Sequence, residues 1–515
     1  MQPQDPVRVR VVVVLALEES VFAALQVAAA PVPQNSKCLK RGGVSPLRFF
    51  FIPNPIRRRK PVSLVISPPK RIVYEKDDWY LFFDPNNVTW VKVNEDGRKI
   101  LTAIENNPDF DTFSHQLQRE YNTDAATIRQ FVDYMVERAW YLHWDEYRCK
   151  EIIFSHENIV PKTLYIHPTY RCNLRCVYCY NGNERHFYTG NTNYDELTIA
   201  DYHKLFEEAN ELGIGDIVYS GGEPLLREEL FEIARISKEM GFHNNIITNG
   251  TLINREKAAA LKDHFHRVSV SIDSCVADEN DCMRGKGAHQ RALNGISLLL
   301  EQDVKVNCLG VVHPGNIDNG LKSWHYFVKE LGCVTFMPQL FITHDQACHE
   351  SPELYDAAQN YGRMRCQINH WNKNKSAAAL RNNCGMCTGE LAIGADGNVF
   401  PCQTLLKEEL CGGNIKHQSL REILEKSPQL KKMREFSVDQ VKECSSCDIK
   451  YLCGGACRGI HSNITGDILK NNPYYCAANK EIIVNTMFEI SSAPNKSERQ
   501  INNHETGAAL PGTCL

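Results

Sequence analysis

Residues 169–182 read TYRCNLRCVYCYNG and place Cys172, Cys176 and Cys179 in one short loop. Thiolates hold iron–sulfur clusters, usually four thiolates to a [4Fe–4S] cluster, so a loop with three cysteines leaves one iron without a protein ligand. An iron left open in this way is able to bind a small molecule. The alternative is a tetrahedral zinc site, which needs a fourth ligand, and His186 is the nearby candidate.

The chain around this loop alternates between strand-like and helical patterns from residue 163 to about residue 345, which predicts βα units and a parallel sheet. The predicted strands are Leu164–His167, Asp216–Ser220, Asn244–Thr248, Val268–Ile272, Val304–Val312 and Val334–Leu340, and the predicted helices include Leu197–Leu212, Leu226–Met240 and Gln290–Gln302. Six such units predict an α/β fold built on a partial (β/α)6 TIM-like barrel. In that architecture the chemistry gathers at the carboxyl ends of the strands, where the cysteine loop lies.

The cysteine loop closely resembles the signature of the radical SAM superfamily, including the aromatic Tyr178 before the last cysteine. The resemblance implies that the open iron chelates the amino and carboxylate groups of S-adenosylmethionine (SAM). Electron transfer then cleaves SAM to methionine and a 5′-deoxyadenosyl radical, which abstracts hydrogen. The sequence SGGEP at residues 220–224 resembles the family's Gly-Gly-Glu motif, which holds the SAM amino group. Taken alone, such a sequence is a common turn.

Further polar residues follow the later strands. Asn249, Ser271 and Asn294 occupy positions where relatives place polar SAM contacts. Turn chemistry or helix capping is the alternative for Asn249 and for Asp273, which also follows the fourth strand. The cofactor-binding residues that the resemblance implies are Tyr178, Ser220, Gly221, Gly222, Glu223, Asn249, Ser271 and Asn294. The sequence assigns no residue as a catalytic acid or base.

A second group of cysteines lies toward the C terminus, and its spacing resembles the SPASM pattern, which in relatives holds two auxiliary [4Fe–4S] clusters. The connectivity of that family assigns Cys384, Cys387, Cys402 and Cys457 to the first auxiliary cluster, and Cys444, Cys447, Cys453 and Cys476 to the second. If Cys384 were not a ligand, the first auxiliary cluster would keep an open iron. Two zinc knuckles are the alternative. The implied cofactors are therefore three [4Fe–4S] clusters and SAM.

Residues 72–150 carry a different pattern, which predicts a small winged-helix-like domain. Its predicted elements are the strands Trp79–Asp84 and Val88–Val93 and the helices Arg98–Asn106, Thr112–Tyr121 and Thr127–Ala139. This stretch resembles the PqqD-like peptide-recognition domain of enzymes that modify ribosomally made peptides. A winged helix also occurs in DNA-binding proteins, but acidic residues such as Glu95, Asp96 and Glu105 would repel phosphates.

Composition excludes several classes of protein. The 515-residue chain has a formal net charge of -4, without the basic excess of a general nucleic-acid binder, so no nucleic-acid partner is predicted. The apolar run Val11–Leu17 is far shorter than the roughly 18 residues that span a bilayer, so no membrane is predicted either. Of the 21 cysteines, eleven fall in tight metal-binding spacings, which favours thiolates in a reducing cytoplasm.

The patterns predict six segments. They are a linker or poorly ordered extension at 1–71, the PqqD-like domain at 72–150, the radical SAM partial barrel at 160–345, a bridging helical segment at 346–383, the SPASM domain at 384–485 and a disordered tail at 486–515. Such a combination predicts a maturase of a ribosomally synthesised precursor peptide. The precursor's leader would pair with an edge strand of residues 72–150.

Hydrogen abstraction from that peptide, followed by oxidation through the auxiliary clusters, would form a thioether or carbon–carbon crosslink. The reaction would need an electron donor such as ferredoxin or flavodoxin. Peptide epimerisation is one alternative, and a formylglycine-generating sulfatase maturase is another. Sulfatase maturases generally lack the PqqD-like module and carry an aspartate after the cysteine matched by Cys402, where this chain has Gln403. A non-catalytic iron–sulfur or zinc protein that binds peptides is the alternative of another class.

Overall fold

The computed structural model describes residues 11–15, 71–86, 88–106, 110–121, 124–126, 128–129, 159–179, 194–343, 346, 351–372 and 380–490. The chain divides into two compact units. The first unit comprises residues 1–153, 376–380 and 483–507, and the second comprises residues 154–375, 381–482 and 508–515.

The first unit is an antiparallel sheet packed against two helices. Its elements are β1 (Val11–Leu15), β2 (Ile72–Lys76), β3 (Trp79–Asp84), β4 (Thr89–Asn94), α1 (Glu95–Asn106) and α2 (Phe110–Tyr121). The sheet order is β1-β4-β3-β2, so β2 is a terminal strand and β1 pairs with β4. Ile100 and Leu101 of α1 are buried, and so are Phe113 and Leu117 of α2, which lie four residues apart on one face of that helix.

Most of this unit matches the sequence expectation. The two predicted strands are β3 and β4, and the first two predicted helices are the later part of α1 and most of α2. Strand β2 was not predicted, and β1 lies within the segment expected to be a linker. The helix predicted at Thr127–Ala139 lies outside the described residues apart from 128–129.

The second unit contains six parallel strands that pair in chain order. They are β5 (Thr163–Ile166), β6 (Asp216–Tyr219), β7 (His243–Thr248), β8 (Arg267–Ser271), β9 (Val306–Val312) and β10 (Thr335–Leu340). The helices between them are α3 (Ile199–Glu211), α4 (Leu230–Glu239), α5 (Arg255–His264), α6 (Ala277–Arg284), α7 (Ala288–Glu301) and α8 (Gly320–Trp324), the last continuing into a π-helical turn at His325–Glu330. This α/β arrangement is consistent with the predicted partial barrel.

Most barrel strands bury one face and half-bury the other, and β5 alone is buried at every position. Leu164, Ile217 and Ile246 face the helices and belong to the main core, whereas Tyr165 on the opposite face packs with Val218 and other residues in a smaller cluster. The carboxyl ends of all six strands consequently meet at one edge of the sheet, because the strands are parallel.

The rest of the second unit extends this sheet and adds short helices. After α9 (Pro352–Trp371), strand β11 (Glu390–Ile393) pairs in parallel with β5, and β12 (Asn398–Phe400) and β13 (Gly413–Asn414) follow in antiparallel pairing. The helices that follow are α10 (Leu420–Lys426), α11 (Pro428–Arg434), α12 (Lys442–Ser445), α13 (Lys450–Cys453), α14 (Arg458–Thr465) and α15 (Pro473–Ile490). No helix in the described ranges is both long and apolar enough to cross a membrane.

Candidate functional site

The cysteine loop follows β5, and two glycines hold its start against the end of β6. Gly222 N–H donates to Thr169 O at 3.0 Å, and Glu223 N–H donates to Arg171 O at 2.8 Å. A Cβ atom on Gly222 would lie 2.1 Å from Arg171 O, and one on Gly221 would lie 2.6 Å from Thr169 O. These distances are far below van der Waals contact, so the two positions accept only glycine while the loop keeps this path. The backbone that approaches the glycines is that of the cysteine loop itself.

Glu223 joins the ends of β6 and β7. Its carboxylate, which has no exposed surface, accepts from Thr248 Oγ1 at 2.6 Å, Asn249 N at 2.8 Å and Leu225 N at 3.1 Å. Burial raises the pKa of Glu223, while these three donors lower it. A carboxylate can accept about four hydrogen bonds, and Glu223 uses three of these positions to hold the ends of β6 and β7 together.

Asn249 ties the cysteine loop to the end of β7 through a closed ring of side chains. Asn249 Nδ2 donates to Asn173 Oδ1 at 2.8 Å, Asn173 Nδ2 donates to Thr251 Oγ1 at 2.8 Å, and Thr251 Oγ1 donates to Asn249 Oδ1 at 2.7 Å. Asn173 lies next to Cys172 in the chain. The ring therefore fixes the first half of the loop.

Asp273 fixes the other half of the loop. Its carboxylate is buried and accepts from Tyr178 Oη at 2.6 Å, Arg284 Nη2 at 2.8 Å and Val311 N at 2.8 Å. The Arg284 guanidinium also lies 5.4 Å from the centroid of the Tyr178 ring. Burial raises the pKa of Tyr178 well above its usual range, against the opposing charge of Arg284. This buried network connects the loop to the ends of β8 and β9.

Sequence reasoning named Asp273 at the end of the fourth strand, with turn chemistry or capping as the alternative, and did not single out Arg284. Arg284 lies on α6, whose polar sequence ADENDCMR gives no apolar periodicity to predict a helix. A basic residue eleven positions after an aspartate is not a recognisable pair in a sequence. Only the fold brings these two residues together.

The remaining predicted cofactor contacts differ in position. Ser220 is buried at the end of β6, and its N–H donates to Ile166 O at 2.8 Å. Ser271 is half-buried and ends β8. Asn294 stands apart from both, because it is exposed on α7 and accepts from Gln290 Nε2 at 3.0 Å. Its neighbour Gly295 packs on the β7 loop instead, where a Cβ atom would lie 2.4 Å from Gly250 O.

The three cysteines of the loop are close enough to influence one another electrostatically. Burial, together with the charges of Glu223, Cys176 and Cys179, raises the pKa of Cys172 to about 12, although the Leu174 N–H, which donates to its Sγ at 3.4 Å, acts in the opposite direction. Burial likewise raises the pKa of Cys176 to about 11. Such thiols stay neutral unless a metal ion replaces their protons. The loop therefore has the donors for an iron–sulfur cluster.

The cysteines assigned to the first auxiliary cluster also gather. Burial raises the pKa of Cys402 well above its usual range, and the charges of Glu390, Cys457 and Cys384 raise it further. Burial raises the pKa of Cys387 to about 12, where Cys384 again contributes. Cys384 therefore lies close enough to Cys387 and Cys402 to influence both electrostatically.

Thr404 sits between two of these thiols. Its Oγ1 lies 3.3 Å from Cys402 Sγ and 3.9 Å from Cys457 Sγ. Gly459 packs against it so closely that a Cβ atom there would lie 2.0 Å from the Thr404 hydroxyl oxygen. The start of α14 thus holds this hydroxyl in place.

The cysteines assigned to the second auxiliary cluster form a separate group. Burial, together with the charges of Cys453, Cys444 and Cys447, raises the pKa of Cys476 to about 12. Asn471 Nδ2 donates to Cys444 Sγ at 3.3 Å. Within the described residues, no three His, Cys, Asp or Glu side chains converge closely enough to hold a single metal ion. A [4Fe–4S] cluster binds each thiolate through a different iron, so it needs no such convergence.

Comparisons with known proteins agree with these groups of residues. Residues 166–323 match the radical SAM superfamily, and residues 384–448 match SPASM, an iron–sulfur cluster-binding domain. The chain is 30% identical over 335 residues to the AdoMet-dependent heme synthase of Methanosarcina barkeri, a match that covers 59% of this chain and 93% of that protein. It is 26% identical over 363 residues to the cysteine-type anaerobic sulfatase-maturating enzyme of Clostridium perfringens, which covers 62% and 95% of the two chains.

A solved structure shares the fold. Native anSMEcpe with bound AdoMet, which is SAM, superposes with a TM-score of 0.52 at 20% identity, over 64% of this chain and 99% of that chain. A second structure of that protein, with AdoMet and the Kp18Cys peptide, gives a TM-score of 0.51 at 20% identity, with the same coverage of both chains. The chain therefore belongs to the radical SAM superfamily, as an enzyme with a SPASM iron–sulfur cluster-binding domain.

Proposed function

We propose that this enzyme is a maturase that modifies a ribosomally synthesised precursor peptide, forming a thioether or carbon–carbon crosslink. The observation that supports a peptide substrate is the first unit, a separate sheet-and-helix module in a chain whose other unit holds the radical SAM residues. Sheet edges commonly bind peptides by adding a strand. A module of this kind fits the capture of a leader sequence.

The docking edge that we propose is β2. Strand β1 already pairs with β4, so β2 is the terminal strand contributed by residues 72–150 as far as the described ranges extend. Val73 of β2 has 46% of its surface exposed, which is high for a large apolar side chain in a strand. An added peptide strand would cover part of that surface.

The radical-forming residues that we propose are those of the cysteine loop. Cys172, Cys176 and Cys179 would hold a [4Fe–4S] cluster, which when bound supplies the electron that cleaves SAM to the 5′-deoxyadenosyl radical. The protein's own part is to hold the loop rigid. Ties to the strand ends through Glu223, Asn249 and Asp273 do this.

Both C-terminal cysteine sets would hold further [4Fe–4S] clusters, giving three clusters in all. We assign Cys384 to the first auxiliary cluster because its charge raises the pKa of both Cys387 and Cys402. A crosslinking reaction removes two hydrogens from the peptide, and the auxiliary clusters would take up the electron left after hydrogen abstraction. Ferredoxin or flavodoxin would supply the electron that starts the reaction.

The test is mass spectrometry of peptides encoded by short open reading frames beside the gene. Each peptide is incubated anaerobically with the reconstituted enzyme, SAM and a reductant. A crosslink lowers the peptide mass by two hydrogens, which is the expected result. An unchanged mass with an inverted residue indicates epimerisation, and formation of 5′-deoxyadenosine without any modified peptide contradicts the maturase assignment.

A sulfatase maturase is the second candidate, and the match to the Clostridium perfringens enzyme favours it. Gln403 weighs against it, because this side chain follows Cys402, is only 2% exposed and has no ionisable group to act as a base. Incubation with sulfatase-derived cysteine and serine peptides separates the two proposals. Formylglycine in those peptides would replace the crosslinking proposal.

Haem synthesis is a third candidate, because the Methanosarcina barkeri match covers nearly all of a haem synthase. This reaction would need a porphyrin substrate. The sheet-and-helix module of the first unit does not resemble a porphyrin site. Incubation with iron porphyrin precursors, followed by absorption spectroscopy and chromatography, tests it. Appearance of haem would contradict the peptide proposal.

A further inference from the structure

Arg458 is a fully buried arginine in the C-terminal region of the second unit. It directly follows Cys457, begins α14 and has no exposed surface. Its Nε donates to Ile468 O at 2.9 Å, Nη1 to Gly455 O at 3.0 Å and to Asn471 Oδ1 at 2.6 Å, and Nη2 to Ile468 O and to Lys470 O at 2.9 Å. All five N–H donors of the guanidinium are therefore used.

These acceptors are all neutral. In the part of the chain that the structure describes, Arg458 makes no ion pair with a carboxylate, although its guanidinium stays charged in a protein. Burying a charge without a counter-charge costs several kcal/mol. A buried arginine with only carbonyl and amide acceptors thus points to negative charge supplied by something bound nearby.

The cysteines around Arg458 indicate where that charge would be. Arg458 directly follows Cys457, and its guanidinium is close enough to Cys444, Cys384 and Cys476 to interact with them electrostatically. Cys384 and Cys457 belong to the first auxiliary set, and Cys444 and Cys476 belong to the second. The guanidinium therefore lies near thiols of both sets.

Two contacts connect Arg458 to the individual sets. On one side its backbone is bonded to that of Cys457, and Gly459 holds the Thr404 hydroxyl that lies between Cys457 and Cys402. On the other side its Nη1 fixes Asn471 Oδ1, which turns the Asn471 amide N–H toward Cys444 Sγ. Arg458 is thus the neighbour of Cys457 in the first set through its backbone, and its side chain positions Asn471 beside Cys444 of the second set.

We propose that Arg458 is the shared counter-charge of the two auxiliary clusters and raises the reduction potential of both. This inference rests on the proposed binding of clusters by the two cysteine sets. A cluster that accepts one electron gains one negative charge, and a nearby buried cation stabilises that reduced form. Hydrogen bonds to the cysteine sulfurs act in the same direction, which makes Asn471 a second positioning residue for the second cluster.

The experiment is a redox titration of the full-length chain followed by electron paramagnetic resonance. Replacing Cys172, Cys176 and Cys179 with alanine removes the signal of the loop cluster, so that the two auxiliary clusters are observed alone. Arg458→Gln is expected to lower both midpoint potentials. Asn471→Leu removes the N–H donor to Cys444 and one acceptor of Arg458 but keeps the Arg458 charge, and it is expected to lower the potential of the second cluster alone. Arg365→Gln, a buried arginine that donates to Pro338 O, is the matched control.

Unchanged potentials in Arg458→Gln, or a shift of only one cluster, would overturn the proposal. If Arg458→Gln fails to retain its iron, Arg458→Lys decides. This variant keeps the positive charge but loses the planar guanidinium whose Nη1 orients Asn471. The potential of the second cluster should therefore fall more than that of the first. Equal potentials in Arg458→Lys and the parent would also overturn it. The parent enzyme could fail to modify the peptide while the variants still show the expected shifts in reduction potential. That result would count against the proposed substrate but not against the role of Arg458.

Discussion

The cysteine loop and the two C-terminal cysteine sets bring their thiols together in different ways. The loop takes three cysteines from eight consecutive residues, 172–179, and depends on the barrel strand ends for its shape. The two C-terminal sets each bring four cysteines together over long stretches, 384–457 and 444–476, among short helices. The difference matches their roles, since an open iron requires a rigid, incomplete site and an electron carrier requires a closed one.

The largest expected effect separates these two roles. Cys176→Ala should abolish formation of 5′-deoxyadenosine, because the loop cannot hold a cluster with two thiolates. Cys453→Ala should leave SAM cleavage measurable while abolishing the modified peptide, because only the electron acceptor is lost. Chromatography of 5′-deoxyadenosine and mass spectrometry of the peptide measure both effects. Loss of SAM cleavage in both variants would remove the distinction between the two regions.

A second prediction tests whether strand ends shape the loop. Gly222→Ala places a Cβ atom 2.1 Å from Arg171 O, so the loop must move and its cluster should be lost. Iron content after reconstitution should fall by about four per chain. Gly215→Ala is the matched control, because a Cβ atom there meets no atom within 4 Å. Equal iron content in the two variants would show that the glycine contacts do not hold the loop.

A third, smaller effect concerns the buried hydrogen bond between Tyr178 and Asp273. Tyr178→Phe removes a donor to a charged acceptor, and a loss of about 1.5–3 kcal/mol of stability is expected. Asp273 keeps its contacts with Arg284 and Val311, so the fold should survive. Thermal unfolding measures the loss, and SAM affinity should weaken with it. Tyr326→Phe, a change outside the loop, serves as the control, and equal losses would contradict a special role for Tyr178.

The smallest expected effect lies in the first unit and sharpens the peptide proposal. Val73→Asp puts a charge on the edge strand β2, which discourages strand addition, so the affinity for the precursor should fall about tenfold or less. Val334→Asp is the matched control, since Val334 is a valine with 54% of its surface exposed in the second unit. Calorimetric titration with the precursor measures both. SAM cleavage without peptide should be the same in the two variants.

Sequence patterns predicted the parts of the molecule whose structure depends on neighbouring residues in the chain. The barrel strands were found within a few residues because short β-rich stretches alternate with helical patterns, and the cysteines were found because their spacing is that of ligands. Strand β2 was missed because three of the five residues in its sequence IVYEK carry polar groups. Such an edge strand does not show the alternation that marks a buried one.

Residues that act through distant partners were the ones that sequence reasoning missed. Asp273 and Arg284 form their pair only because α6 folds back to the end of β8. Arg458 follows a predicted ligand directly, yet its contact with Asn471 depends on the path of the chain after α14. In the same way, the pairing of β11 with β5 spans more than 200 residues, which no local pattern encodes.

If the cysteine loop is the radical-forming site and the other two sets hold separate clusters, loss of one loop cysteine should remove one cluster and all SAM cleavage. The parent and the Cys176→Ala variant are reconstituted anaerobically, and iron and 5′-deoxyadenosine are measured in each. About twelve irons per chain with SAM cleavage are expected in the parent, and about eight irons without cleavage in the variant. Zinc in place of iron, or SAM cleavage that persists in Cys176→Ala, would contradict this assignment.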